Sequence, residues 1–320
     1  MAMAAALLVD IASRRHPHDF EADGERRDLG AADQQPSEPD DLSLALSQTS
    51  VDLLPAATPP VELVTMNLRH VADKATLHLH LKREKTKCDL WASVWSTARV
   101  LSEMLLADAK EHLAEAKTIE IGAGTALCSM VAACAGARVT VTDSSEMSLD
   151  LVRESGKLNG IDESSLTTQR LDWHTLASAK DEAPPSLKSN FDLLLGSDVL
   201  FLRANVNAVL GTVARCVRPG GLAVIICPGR PSSIDFKGEV EDHSELEVES
   251  FEMEETCVTE TRLLKLVRLY LITVRGAPPS PRTLALKRSL LEAWVTVDAR
   301  SARPGAKYEY TEALAGDEGA

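Results

Sequence analysis

The clearest pattern of apolar and polar positions lies between residues 118 and 143. A short β-rich run, Thr118 to Ile121, passes directly into Gly122 and Gly124, where only small residues let the backbone approach a ligand. Apolar residues then recur at helical spacing, and a second β-branched run ends at Asp143. The pattern predicts a strand, a glycine turn, a helix and a second strand that ends in an acid, which together form one βαβ unit of an open α/β sheet.

The same periodicities predict elements along the rest of the chain. Further strands are predicted over 61–64, 76–82, 165–171, 191–196, 222–227, 249–259 and 263–274, and helices over 93–108, 127–134, 145–158, 205–217 and 283–294. The last two strands are too close in sequence for a crossover helix, so they must pair antiparallel. We therefore predict an α/β fold with a Rossmann-like seven-stranded sheet, mostly parallel, with a C-terminal antiparallel hairpin and helices on both faces.

The two ends of the chain differ in composition from this central region. Residues 13–60 are polar, acidic and interrupted by prolines, so they cannot bury enough surface to offset the chain entropy. We expect a disordered acidic tail over 1–60, the folded domain over 61–276, and a tail over 277–320 that is partly helical or disordered. The acidic segment 235–249 is predicted to form a helix or loop over the site.

Composition narrows the set of partners. With 34 basic and 48 acidic residues the net charge is -14, which argues against nucleic acid and favours a protein partner, in particular a basic one. The six cysteines form no CxxC pair and are expected to be reduced thiols. No apolar run approaches the roughly 20 residues of a membrane helix. We expect a monomer in the cytoplasm, with the nucleus as the alternative. His78 and His80 lack a third ligand nearby, so a solvent-facing strand edge is preferred to a metal site.

Five separated motifs, in this order, resemble those of the seven-β-strand methyltransferases. They are VWSTARVLSEML at 94–105, IEIGAGTALCS at 119–129, the acid Asp143, LDWH at 171–174 and LLGSDVLF at 194–201. Over residues 61–276 the chain most resembles the protein lysine methyltransferases that act on non-histone proteins. TDSSEM and SDVLF are at least as close to a branch assigned arginine methylation of histone. The resemblance implies S-adenosyl-L-methionine as cofactor and a protein as substrate.

The predicted cofactor site lies at the carboxyl ends of the strands, where open α/β sheets bind ligands. Glu120, inside the first strand, would repel a pyrophosphate and suits a positively charged ligand such as a sulfonium. Asp143 is expected to meet the ribose hydroxyls. By resemblance, Asp172 and Trp173 border the adenine, and Trp95 contacts the methionine end unless it is a core tryptophan. The complete predicted set is Trp95, Glu120, Gly122, Ala123, Gly124, Asp143, Asp172, Trp173 and Ser197. The alternative is a structural glycine turn in another kind of α/β domain.

Asp198 and Phe201 are the predicted catalytic residues. They follow the fourth strand and resemble the family's acid-x-x-aromatic motif, in which the acid receives the target amine and the aromatic ring lines its channel. Many relatives have tyrosine where this chain has Phe201, so a hydroxyl that could restrict the number of methyl groups is absent. The alternative for Asp198 is to cap the following helix.

The predicted function is S-adenosyl-L-methionine-dependent methylation of a protein lysine. Lysine is preferred to arginine as the target, because deprotonating a lysine amine costs less free energy than deprotonating a guanidinium. The alternatives are an arginine or small-molecule methyltransferase, a non-catalytic module that keeps the cofactor site, and a nicotinamide dehydrogenase. No metal is required for transfer from a sulfonium, because the protein mainly aligns the reacting atoms and excludes water.

Overall fold

The structure of the protein is a computed structural model. It describes residues 61–69, 76–84, 90–107, 110–178, 184–229, 236–253, 257–259, 262–264, 266–301 and 313–314. The chain divides into the units Met1–Ala56 and Ala57–Ala320, and every described residue belongs to the second. The predictions for residues 1–60 and for the side chains of His78 and His80 therefore lie outside the described residues.

A seven-stranded sheet forms the centre of the fold. The strands in chain order are β1 Val61–Arg69, β2 Thr76–Glu84, β3 Lys117–Ile121, β4 Arg138–Asp143, β5 Leu166–Arg170, β6 Phe191–Ser197, β7 Val217–Pro228, β8 Leu246–Met253, β9 Cys257–Thr259, β10 Arg262–Leu264, β11 Val267–Val274 and β12 Ala313–Leu314. The order in the large sheet is β5-β4-β3-β6-β7-β11-β8. The first five strands of this order pair in parallel, and β11 pairs antiparallel with both β7 and β8. The predicted fold class is confirmed.

Helices cover both faces of this sheet. They are α1 Ser96–Leu106, α2 Lys110–Leu113, α3 Leu127–Cys134, α4 Glu146–Leu158, α5 Trp173–Ser178, α6 Ala204–Cys216, α7 Phe236–Glu241 and α8 Pro281–Ser301, with a 3₁₀ turn at Leu90–Ala92 before α1. Apolar residues of α1, α3, α4 and α8 form one buried layer with the sheet, among them Leu101 and Met130. Residues of α5, α6 and α7 form the second layer, among them Val209 and Phe236, so the sheet is buried on both faces.

The central βαβ unit forms where the sequence predicts it, and the next helix is capped as expected. The side chain of Ser145 accepts a hydrogen bond from the Ser148 N–H at 3.3 Å and so satisfies one of the donors at the start of α4. Gly160, in a left-handed conformation with φ of 65°, follows the end of that helix. The start of α3 differs, because its N-cap residue is Ala126, which has no side-chain oxygen.

Three details differ from the prediction. The predicted turn Arg218–Gly221 lies inside β7, where pairing jumps from Phe191–Val217 to Leu193–Leu222, so the glycines form a bulge and not a strand boundary. The predicted strand 249–259 is divided, and the short antiparallel pair of β9 and β10 lies between the two hairpin strands. Cys134, predicted on the buried face of α3, is exposed.

Four cysteines have described side chains, and all four are free thiols: Cys128, Cys134, Cys216 and Cys227. No helix within the described ranges is both long and apolar enough to cross a bilayer.

Candidate functional site

The glycine turn after β3 has no room for side chains. Gly122 and Gly124 have left-handed φ values of 56° and 53°. A Cβ atom on Gly122 would lie 2.4 Å from the Trp173 ring, and one on Gly124 would lie 2.9 Å from the carbonyl oxygen of Trp91. Both positions therefore require glycine for backbone conformation and for space. Between them, the Ala123 N–H donates to the carbonyl oxygen of Thr142 at 3.0 Å, which joins the turn to the end of β4.

Glu120 is buried under this turn and caps α3. Its Oε2 atom accepts a hydrogen bond from the Ser129 N–H at 2.9 Å and a second one from the Ser129 hydroxyl. Ser129 is the third residue of α3, so a side chain from the strand takes the role that Ala126 cannot fill. Burial raises the pKa of Glu120 from 4.5 to about 7, although the Ser129 hydrogen bonds oppose the shift. Its predicted contact with a positively charged ligand stays a prediction.

Asp143 connects the glycine turn to the start of α4. Its Oδ2 atom accepts from the Gly124 N–H and its Oδ1 atom from the Ser145 N–H, both at 2.9 Å. Burial raises the pKa of Asp143 above its usual range, against the effect of these hydrogen bonds. A carboxylate offers about four lone-pair positions, so the predicted hydrogen bonds to a ribose are compatible with these two internal ones.

The segment after β5 lies against the same turn. The exposed Asp172 accepts hydrogen bonds from the N–H groups of His174, at 2.9 Å, and Thr175, at 3.4 Å, and so caps α5. Trp173 is half-buried, with its ring over Gly122. The capping role of Asp172 fixes the start of α5 and hence the position of the tryptophan.

The loop after β6, residues 198–203, carries the two predicted catalytic residues. Asp198 is 8% exposed and has a left-handed φ of 55°, which is unfavourable for a residue with a Cβ atom. Its N–H donates to the carbonyl oxygen of Ile226 at 2.8 Å, which holds this conformation against β7. Phe201 is half-buried three residues later. The capping alternative for Asp198 is wrong, because the N-cap position of α6 is occupied by Arg203.

The start of α1 is attached to the end of β6. Ser197 donates a hydrogen bond from its hydroxyl to the Thr97 hydroxyl at 3.0 Å. Trp95 occupies the N-cap position of α1 in an extended conformation and is half-buried. The helix that carries Trp95 therefore lies beside the strand that precedes Asp198.

Val199 joins the two halves of the site. The Cγ1 atom of Val199 lies 3.3 Å from the position that a Cβ atom on Gly122 would take, so the loop after β6 packs on the glycine turn. Sequence reasoning missed Val199 and also Trp91, whose main chain lies against Gly124. For Trp91 the available signal was its position four residues before Trp95. In the described part of the chain, no group of three His, Cys, Asp or Glu side chains is arranged to hold a metal ion.

Comparisons with known proteins found a matching family model and several similar proteins. A family model described as "Lysine methyltransferase" matches residues 73–236, just over half of the 320-residue chain. The chain is 33% identical over 132 residues to "Histone-arginine methyltransferase METTL23" of Xenopus laevis. The aligned region covers 41% of this chain and 53% of that protein. It is 31% identical over 138 residues to "Protein N-lysine methyltransferase METTL21A" of Xenopus tropicalis. This aligned region covers 42% of this chain and 59% of that protein.

The matched region spans little more than half the length of these two curated relatives. Among solved structures, the chain is similar to a "TehB-like SAM-dependent methyltransferase" from Corynebacterium glutamicum, with a TM-score of 0.40, 17% identity and coverage of 57% of this chain and 89% of that one.

Proposed function

This chain belongs to the lysine methyltransferase family, and we propose that it transfers a methyl group from S-adenosyl-L-methionine to a lysine side chain of a protein. S-adenosyl-L-methionine is the cofactor of this family and its fold. The observation that carries the proposal is the position of Asp198 and Phe201. They lie on the loop after β6, which packs through Val199 on the glycine turn after β3.

The residues around the glycine turn fit a ligand of this chemistry. The Ser129 N–H at the start of α3 is bound by Glu120, and the Gly124 N–H is bound by Asp143. A pyrophosphate would need such donors and would meet two carboxylates instead. A phosphate-free ligand is compatible with both features. The half-buried ring of Trp173 offers a flat apolar surface of the kind that an adenine requires.

We assign the cofactor-holding roles to residues of three segments. Asp143 would accept hydrogen bonds from the ribose hydroxyls, and Asp172 and Trp173 would border the adenine. Trp95, at the start of α1, would contact the amino-acid end. When bound, the cofactor supplies an electrophilic methyl group on a positively charged sulfur.

The protein's own task is to present a neutral amine in line with that methyl group and to exclude water. A lysine with an ordinary pKa of about 10.4 costs roughly 4.6 kcal/mol to deprotonate at pH 7. Asp198 would receive and orient the incoming lysine amine, and Phe201 would line an apolar channel that favours the neutral form. The lysine ammonium first gives up one proton, either to Asp198 or to water. The neutral amine would then form a bond to the methyl carbon as the bond between that carbon and the sulfur breaks, and the neutral thioether S-adenosyl-L-homocysteine would leave.

Arginine is the second candidate target, because one of the relatives is named a histone-arginine methyltransferase. A guanidinium with a pKa up to about 13.8 costs about 9 kcal/mol to deprotonate at pH 7, so a second carboxylate is expected beside the first. The lower cost of forming the neutral lysine amine favours lysine. The net charge of -14 favours a basic protein as substrate.

Transfer of a radiolabelled methyl group into a proteome extract tests the proposal. The wild-type protein should label protein bands, and hydrolysis of those bands should release methyllysine. Methylarginine in the hydrolysate would select the second candidate, and label confined to small molecules would refute protein methylation. A cofactor-binding module would bind S-adenosyl-L-methionine and label nothing.

The variant Asp198→Asn tests whether the loop after β6 is the site of methyl transfer. It should lose at least about 100-fold in transfer rate, in the range typical for loss of one group that acts on the proton, while the cofactor affinity changes less than about threefold. Asp192→Asn is the matched control, since Asp192 lies at the other end of β6 and bonds Lys117 and Arg218. Undiminished transfer in the Asp198 variant would remove this residue from the mechanism.

A further inference from the structure

Asn205, in the first turn of α6, makes hydrogen bonds to both sides of the site. Its side chain is 3% exposed. The Nδ2 atom donates to the carbonyl oxygen of Val199 at 3.2 Å. The Oδ1 atom lies 3.1 Å from the Nε2 atom of His174. One buried amide therefore connects the segment that carries Trp173 with the loop that carries Asp198.

The two residues bound by Asn205 are direct neighbours of the predicted site residues. His174 follows Trp173, whose ring lies over Gly122. Val199 follows Asp198, and its side chain contacts the same glycine. Two hydrogen bonds through Asn205 therefore link the residue after Trp173 to the Val199 carbonyl oxygen.

The main chain gives Asn205 a second hold on the loop. Its N–H donates to the carbonyl oxygen of Leu202 at 3.0 Å, so main-chain and side-chain groups of one residue bind the loop at two points. The loop needs such support, because Asp198 has the left-handed backbone conformation that a non-glycine residue adopts only when its surroundings impose it.

We infer that Asn205 is a positioning residue, which couples occupation of the cofactor site to the placement of Asp198 for the incoming amine. This inference rests on the proposed function. In this role Asn205 acts indirectly, through its hydrogen bonds to His174 and Val199, and not by touching the cofactor or the substrate.

Hydrogen exchange measured by mass spectrometry, with S-adenosyl-L-homocysteine as the probe, tests the coupling. In the wild-type protein the probe should slow exchange in peptides covering 118–126 and in peptides covering 197–203. In Asn205→Ala the probe should still slow exchange over 118–126, but the slowing over 197–203 should fall by about fivefold, the effect of one hydrogen bond. The same variant should lose between about tenfold and about 100-fold in kcat, because small misplacements of a reacting group have effects of this size.

Two further variants separate coupling from a loss of stability. His174→Phe removes the ring N–H at an exposed residue while keeping an aromatic ring, so it should reproduce the loss over 197–203 even if Asn205→Ala does not fold. Asn190→Ala is the matched control. Asn190 also donates to a carbonyl oxygen, that of Ser186 at 3.2 Å, and accepts from the Lys117 Nζ atom at 3.0 Å, but it precedes β6 at the opposite end of the sheet. It should leave the response to the probe unchanged.

The possible failures are distinguishable. If the probe slows exchange over 197–203 in both Asn205→Ala and His174→Phe as much as in the wild-type protein, the coupling is overturned and the proposed function is left intact. A wild-type protein that binds the probe but shows no slowing over 197–203 would do the same. A wild-type protein that shows the coupled response but transfers no methyl group would refute the proposed function alone, whereas no binding at all would refute both.

Discussion

Replacing Glu120 by glutamine tests whether a buried carboxyl group caps α3. Glu120→Gln keeps the shape of the side chain and an oxygen that can accept from the Ser129 N–H, but it cannot ionise. The effect to be measured is the dependence of folding stability on pH. Glu120 contributes to this dependence in the wild-type protein, and the variant lacks that contribution.

The sign follows from the raised pKa. Burial raises the pKa of Glu120 from 4.5 to about 7, so between these values the folded protein binds the proton more tightly than the unfolded chain does. This contribution to stability is complete below pH 4.5 and is lost as the pH rises to about 7. The difference between the two pKa values corresponds to at most about 3 kcal/mol of unfolding free energy.

Urea unfolding of both proteins at several pH values between about 4.5 and 8 gives the comparison. The wild-type protein should lose up to about 3 kcal/mol relative to Glu120→Gln across this range. Asp143 also has a raised pKa, but the effect of its own burial is present in both proteins, so it enters the difference only through its repulsion of the Glu120 charge. Glu115→Gln is the control, because Glu115 is an exposed acid paired with Arg138, and an exposed pair of this kind contributes at most about 1 kcal/mol. If the unfolding free energies of the wild-type protein and Glu120→Gln change with pH in the same way, Glu120 is not a buried carboxyl group with a raised pKa.

Two further predictions concern the glycine turn and Asp143. Gly122→Ala should abolish cofactor binding and lower the unfolding free energy by more than the roughly 1 to 2 kcal/mol of left-handed strain, because the new Cβ atom would meet Trp173 at 2.4 Å. Gly160→Ala has a similar φ and nothing within 4 Å of the added atom, so in a thermal-melt comparison it should show the strain alone. Asp143→Asn should weaken S-adenosyl-L-methionine binding at least about tenfold, since charge-assisted hydrogen bonds are lost. Calorimetry that finds unaltered affinity would contradict its ribose role, and Asp162→Asn, at an exposed turn, should match wild type.

The sheet was predictable because its determinants are local in sequence. Apolar periodicity identifies β3 and β4, Ser145 and Gly160 mark the ends of α4, and the short connection before β11 excludes a crossover helix. The residues Arg218–Gly221 predict a turn, but they lie inside a continuous strand. Their place there depends on the pairing of β7 with β6, which no local pattern specifies.

The site was predictable in its residue types but not in its contacts. Glu120 lies six positions before Ala126 and nine before Ser129, and only the tertiary fold brings its carboxyl group to the Ser129 N–H. The left-handed conformation of Asp198 has no sequence signal. Asn205 resembles any polar residue in a first helical turn, and its significance appears only when α5 brings His174 beside it.

The two buried carboxylates give the glycine turn a chemistry different from that of a dinucleotide-binding turn. In the latter, N–H groups at the helix start are left for phosphate oxygens. In this protein Glu120 binds the Ser129 N–H, and Asp143 binds the Gly124 N–H. An anionic ligand would have to displace these bonds and would leave two buried carboxyl groups beside its own charge. A cationic or neutral ligand meets neither cost, because its hydroxyl and amino groups can donate to the oxygens. We therefore expect the turn to disfavour a phosphate-bearing ligand, because both N–H groups are already bonded to carboxyl oxygens of the protein.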